Sequence, residues 1–370
     1  MTKISILTIN DPINYGNRLQ NYALQRVLKR YGNVNTLNLP NERTSSLIYN
    51  IRMHIKNIFR PFLLHCFSLL SDSFGLASKR RINFDKFSNN YIETDKSVIV
   101  LRRKYSFHND CLVIGSDQVW NDQILASDEL LPLRLGAFVS NGHVISYAAS
   151  FGVSQVVPKS YSIFDKYLHR MSAISVREDR GAELVKEISG LDATVVLDPT
   201  LMLTTDDWKT VIAGDFVPSN DRYVLTYFLG DPSAQQEHVI QECAKAHGCR
   251  VRRMLDLRDP ETYVAGPADF VELFSKAEYV FTDSYHACCF SILFEKQFKV
   301  FNRANFSGKS SMNSRMQTLF RLFELDDLMD DDAKLTHIDY VHVNQLLDHH
   351  RKASREWLDQ AMTKIGVVSR

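Results

Sequence analysis

Four polar side chains stand within five positions of the run "FTDSYHACCFSILF" (281–294): Thr282, Asp283, Ser284 and His286. They follow Tyr279-Val280-Phe281, which reads as the end of a buried strand, and precede Ala287–Phe294, which reads as an inward-packing helix. A helix N-terminus offers unpaired backbone N–H groups and the positive end of its dipole, so such a junction can seat an anion. His286 adds a group able to hydrogen-bond phosphate or to move a proton near neutral pH. A lone histidine is commonly structural, but this junction is where a ligand-facing one is expected.

Five further stretches place polar residues after apolar, strand-like runs. In "NDPINYGNRLQNYALQ" (10–25), Gly16 is flanked by Asn14, Asn17 and Arg18 at a helix start. Glycine there allows backbone conformations other residues avoid, and the N–H groups suit an anion. The motif is neither GxGxxG nor a Walker loop, so it gives no support for nucleotide binding by those routes, and an ordinary helix cap is the alternative. In "LVIGSDQVWN" (112–121), Asp117 can accept a proton from a hydroxyl and Trp120 can offer a flat face to a sugar ring, with Gly115, Ser116 and Gln118 beside them. The alternative is a capping aspartate and a core tryptophan. "ISYAASFG" (145–152) brings Ser146 and Ser150, and "AISVREDRG" (173–181) brings Arg177, whose planar donor fork fits carboxylate or phosphate. Arg180 reads as part of a solvated ion-pair cluster. In "VVLDPT" (195–200), Asp198 is expected to close the first domain.

Ligands of open α/β sheets bind outside the carboxyl ends of strands, and the elements needed to hold these residues there follow from the alternation of the chain. Strand candidates at Ile4–Ile9, Val34–Leu39, Cys111–Ile114, Val144–Tyr147, Ala173–Val176 and Thr194–Leu197 alternate with helical patterns such as Asn17–Tyr31, Lys159–Arg170 and Asp179–Ser189. The pattern pauses at "TTDDWKTVIAGDFVPSND" and restarts with a strand at Tyr223–Phe228, a helix to about His247, a strand at Arg250–Met254, a helix at Pro267–Ala277 and the junction above. We expect a first α/β domain over 1–205, a second over 220–335, and a C-terminal helix within 336–370, about Tyr340–Met362. The 370 residues, 45% apolar and 24% charged, suit two domains of ordinary size. A net charge of +1 suggests no nucleic-acid partner.

An insertion over about 45–90 departs from the alternation. Between Ile51 and Asn83 it carries Arg52, Lys56, Arg60, Lys79, Arg80 and Arg81 against the single acid Asp72, around an apolar stretch at Phe59–Leu70. The expectation is a helical excursion packed on the first domain; the alternative is a peripheral contact with anionic lipid. No segment has the apolar length of a membrane span, the N-terminus lacks a signal-peptide pattern, and the six cysteines have no metal-ligand spacing. A reducing, cytoplasmic setting without a metal is therefore expected, at most peripheral at the inner face of a membrane.

The blocks "NYGNRLQNYALQ", "VIGSDQVWN", "SYAASFG", "SVREDRGAELVK", "VVLDPTLMLTTDDW" and "FTDSYHACCFSILF", in that order over about residues 3–325, resemble the polysaccharide pyruvyl transferase family. The resemblance implies a fold of two Rossmann-like domains facing a cleft, similar to the GT-B architecture. It implies transfer of a pyruvyl group from phosphoenolpyruvate to a sugar, commonly as a ketal, with phosphoenolpyruvate as donor substrate and no cofactor. Arg177 and His286 match the donor-site arginine and histidine of the family. On that reading His286 is the phosphate ligand and acid and Asp117 the base. Ser284, Asp283, Asn17 and Gly16 lie with Arg177 on the donor side, while Asn14, Gln118, Trp120 and Ser150 face the acceptor, a sugar or a lipid-linked oligosaccharide. A nucleotide-sugar glycosyltransferase and an idle carbohydrate-binding or assembly protein are the two alternatives, since fold alone does not choose.

Overall fold

The computed structural model describes residues 2–38, 72–98, 107, 109–124, 130–218, 220–301, 312–329 and 337–369. The first domain runs β1 (Lys3–Leu7), α1 (Tyr15–Leu28), β2 (Asn33–Asn38), α2 (Asp72–Tyr91), β3 (Thr94–Val98), β4 (Cys111–Ile114), α3 (Leu130–Arg134), β5 (His143–Ser146), α4 (Tyr161–Leu168), β6 (Ser175–Val176), α5 (Asp179–Ser189), β7 (Thr194–Val195), α6 (Pro199–Met202) and α7 (Thr205–Lys209). The second runs β8 (Tyr223–Tyr227), α8 (Ala234–Ala246), β9 (Arg250–Met254), α9 (Pro260–Tyr263), α10 (Pro267–Lys276), β10 (Tyr279–Thr282), α11 (Tyr285–Leu293), β11 (Gln297–Val300) and α12 (Met312–Phe323), before the long α13 (Tyr340–Lys364).

Both sheets are parallel. The first has the order β3-β2-β1-β4-β5, with Ile4 opposite Val34 on one side and Cys111 on the other. The isolated bridges Ile145–Ala173 and Ala149–Val176 extend it toward the β6-β7 pair. The second has the order β11-β10-β8-β9, with Tyr279 opposite Val224 and Gln297. Strands buried on both faces read as apolar runs, as in "CLVI" and "YVLTY", because helices cover each side. The chain is thus an α/β protein of two Rossmann-like units, each a parallel sheet covered by helices. In each sheet the strand order reverses at one point, between β1 and β4 and between β8 and β10, and doubly wound sheets bind ligands there.

Three elements lock the halves together. Tyr15, buried at the start of α1, donates its hydroxyl to the Ala265 carbonyl at 2.6 Å, and its ring lies 5.1 Å from that of Phe270. The described part of the basic insertion, α2, packs as a helix rather than on a free surface: Phe84 and Phe87 are core residues, and Asn83 donates to Val264 O at 2.9 Å. Residues 51–71, including Phe59–Leu70, lie outside the described residues. Finally α13 buries Val343, Leu347, Leu358, Ala361 and Met362 and returns to the first domain, where Arg351 donates to Leu201 O and Leu203 O at 2.6 and 2.8 Å. The polar pause at 204–207 is the start of α7, closed by a reciprocal capping box between Thr204 and Asp207.

Candidate active site

The carboxyl ends of β1, β4 and β6 and the first turn of α11 converge on one cluster of Asn17, Asp117, Arg177, Asp198 and His286. Asp117 follows β4 in the left-handed region, at φ 67°, where an aspartate is tolerated but costly. Gly115 just before it has φ 136°, and a Cβ there would stand 2.0 Å from Tyr147 O, so only glycine lets β4 turn so closely past the next strand. The Asp117 carboxylate then accepts from Arg177 Nη2 at 3.1 Å and from Asn17 Nδ2 on α1. Asn17 is aimed by its helix cap: its backbone N–H donates to the Asn14 side chain at 3.1 Å.

Arg177 leaves β6 with no exposed side-chain surface. Its Nη1 donates to Asp198 Oδ2 at 2.7 Å, and its guanidinium lies 4.3 Å over the Tyr285 ring, a cation–π contact. Asp198 caps α6, accepting from Thr200 N at 3.0 Å and Thr200 Oγ1 at 2.8 Å, and also takes Ser116 Oγ at 3.0 Å. Burial pushes both carboxyls up, but the Arg177 guanidinium outweighs it, so Asp117 is held at about 2 and Asp198 also below the usual range.

His286 is only 8% exposed in the first turn of α11. Its Nε2 lies 3.8 Å from Asp198 Oδ2 and has no hydrogen-bond partner. The other side of the ring packs on Gly16: a Cβ there would fall 2.2 Å from Nδ1, so the glycine of the α1 motif makes room for the imidazole. Burial lowers the affinity of His286 for a proton, and Asp198 and Asp117 only partly restore it. The resting imidazole is therefore neutral at pH 7, and an incoming anion would favour its protonated form.

The remaining expected residues are placed less directly. Gln118, with its amide oxygen turned to Arg315 on α12, accepts from Nη1 at 2.6 Å and Nη2 at 2.7 Å. Asp283 accepts from the backbone of Leu229 at 2.7 Å and Gly230 at 3.2 Å, tying the β10 end to the β8 end. Ser284 is the N-cap of α11, but its side chain makes no cap bond. Ser150 donates to Glu178 Oε1 at 2.9 Å in the interior. Trp120 corrects an expectation: it is wholly buried with its ring 5.2 Å from Phe151, so it presents no face to a sugar, because the Gly115 turn carries the chain back into the core. Asp198 and Arg315 belong to the site but were not expected there. Asp198 had a signal, an aspartate before proline at a helix start; Arg315, in a polar stretch, had none. Among the described residues no group of three or more His, Cys, Asp or Glu is arranged to hold a metal ion.

The model of the polysaccharide pyruvyl transferase family matches residues 14–305, which span every member of this cluster except Arg315. The chain belongs to that family. No curated protein matches it. Among solved structures, UDP-GlcNAc 2-epimerase from Methanocaldococcus jannaschii is similar at 11% identity over 94% of this chain and 92% of that one, with a TM-score of 0.47. S. aureus MnaA in a co-structure with UDP is similar at 10% identity over 95% and 97%, with a TM-score of 0.45. UDP-GlcNAc 2-epimerase from Neisseria meningitidis bound to UDP-GlcNAc is similar at 11% identity over 95% and 100%, with a TM-score of 0.41. For this family member, pyruvyl transfer in polysaccharide biosynthesis is the activity the family carries.

Proposed function

We propose that the enzyme moves the pyruvyl group of phosphoenolpyruvate onto a sugar of a surface polysaccharide or its lipid-linked precursor, forming a pyruvate ketal. The observation that carries this reading is the neutral, unpartnered His286 imidazole beside two ionised carboxylates at the N-terminus of α11. The phosphate of the donor lies at the helix N-terminus with His286, whose proton affinity it raises. The proton of His286 goes to the methylene carbon of the donor, and a sugar hydroxyl oriented by Asp117 adds at C2, its proton returning to the imidazole. The bond from C2 to the phosphate oxygen breaks, and a second hydroxyl of the same sugar closes the ketal, its proton leaving with inorganic phosphate. A carboxylate held at about 2 is a weak base, so Asp117 serves by orienting the hydroxyl and stabilising positive charge at C2 as bonding to phosphate weakens. The ketal needs two hydroxyls within reach of one carbon, so acceptors are sugars with 1,2- or 1,3-diols.

The test is phosphate release from phosphoenolpyruvate with free and lipid-linked oligosaccharides that carry such diols, followed by the mass of the acceptor. Turnover with a nucleotide sugar, and none with phosphoenolpyruvate, would overturn the reading in favour of glycosyl transfer. Among the described residues no helix is long and apolar enough to cross a membrane. A lipid-linked acceptor is the reason to propose peripheral contact through the insertion, on the cytoplasmic side. Protein that stays wholly soluble in flotation with anionic liposomes would count against that contact.

A further inference from the structure

Arg315 has no role in the chemistry above, yet it is only 6% exposed and stands in the same cluster. Among the described residues no carboxylate forms an ion pair with it, and Asp117 and Glu178 act on it only at longer range. Its two terminal nitrogens meet the neutral oxygen of Gln118, and its Nε is buried without a hydrogen-bond partner. A neutral amide satisfies the geometry of a guanidinium but not its charge, and an unpaired buried charge is costly. Burial pulls its proton affinity down to about 10, against the usual 12.5. Arg177, by contrast, is neutralised by Asp117 and Asp198 at 3.1 and 2.7 Å. Gln118 is the residue next to Asp117, so Arg315 is held beside the carboxylate end of the cluster with a neutral oxygen as the direct partner of its fork.

We propose that Arg315, steered by Gln118 beside Asp117, seats an oxyanion of the substrate, a carboxylate or a phosphate. The identity of that substrate as phosphoenolpyruvate rests on the preceding reading; the anion seat does not. Guanidinium forks bind either group in a bidentate way. Three probes separate the two: inorganic phosphate, pyruvate as a carboxylate without phosphate, and phosphoenolpyruvate with both.

The experiment is a melting-temperature titration of the full chain and of Arg315→Met with each probe. Without ligand, Arg315→Met is expected to melt at or above the wild type, because a desolvated charge is gone. The wild type is expected to respond to phosphoenolpyruvate and to one of the simpler anions, which names the group that is seated. Affinity in Arg315→Met should fall at least tenfold. An unchanged affinity in that variant overturns the seat while leaving the pyruvyl-donor reading intact. A wild type that ignores phosphoenolpyruvate but responds to phosphate or pyruvate, with the response lost in Arg315→Met, sinks the donor reading and keeps the seat. Silence toward all three anions overturns the seat. Should Arg315→Met fail to fold, Arg315→Lys decides: it keeps the charge but loses the fork, and an unchanged affinity for every anion rejects the proposal.

Discussion

The two sides of the cluster differ in how their charges are paired. On the first-domain side, Asp117, Arg177, Asp198, Ser116 and Asn17 form an ion-paired network in which Arg177 has a carboxylate at each end of its fork, and only its Nε lacks a hydrogen-bond partner. On the other side, α11 and α12 contribute His286, with a bare Nε2, and Arg315, with a bare Nε and a neutral partner. A paired network of buried ions holds geometry, because removing one member strands the rest. A buried group left open costs stability and is kept where a ligand completes it. On the proposed reading the first domain fixes the reacting groups, and the second presents the groups that a ligand satisfies.

The comparison breaks most visibly at Arg177. Arg177→Met leaves Asp117 and Asp198 buried with no cation between them, and should lose about 3–5 kcal/mol of stability, read from urea unfolding. A loss below about 1 kcal/mol would mean the network is not paired in the sense argued. Next comes Gly16→Ala. Its methyl group would fall 2.2 Å from His286 Nδ1, so the ring must shift. A displacement of that order should cut kcat about 100-fold while the protein stays folded, which steady-state kinetics with circular dichroism would check. Wild-type activity in Gly16→Ala would show that the position of the ring does not matter.

A third effect lies in the pH dependence of stability. Asp117 is held at about 2 against an ordinary 3.8, so it contributes roughly 2 kcal/mol that is present above pH 3.8 and lost as pH falls through about 2. His286 is lowered from 6.5 by burial, so below pH 6.5 the unfolded chain takes up a proton that the folded one refuses. Stability should therefore decline below pH 6.5, and His286→Gln should flatten that decline between pH 7.5 and 5. A variant curve parallel to the wild type would remove His286 from the account.

Much of this arrangement was legible in the sequence, and each missing part has its own cause. The strands Cys111–Ile114 and Arg250–Met254 and the helix Asp179–Ser189 emerged from pattern alone, because buried parallel strands and amphipathic helices each write a period into the chain. His286, Asp117, Asn17 and Gly16 were found because they sit where a strand turns into a helix. β3 and β11 were not, since both lie at sheet edges where "TDKSV" and "QFKV" alternate weakly. Asp198 was visible as an aspartate before proline, but its partner Arg177 comes from another element, and Arg315, whose partner Gln118 also lies elsewhere in the chain, has no local pattern at all. Trp120 was misread because an aromatic after a strand end looks alike whether the chain turns out to solvent or, as here, back into the core.

The smallest effect is the sharpest control, because Arg180 lies three residues from Arg177. Arg180 Nη1 contacts Glu183 Oε2 at 2.8 Å and Glu187 Oε1 at 2.6 Å, distances as good as any in the buried network. Its partners are 61% and 47% exposed, however, where water and salt screen the attraction and side-chain entropy opposes it. Arg180→Ala should therefore change stability by no more than about 0.5 kcal/mol and leave kcat unaltered. The same measurements that show a loss for Arg177→Met would then show almost none one helical turn away, at equal hydrogen-bond length. A large loss for Arg180→Ala would mean that contact distance rather than burial sets the energetics, and the distinction drawn between the two sides of the cluster would fall with it.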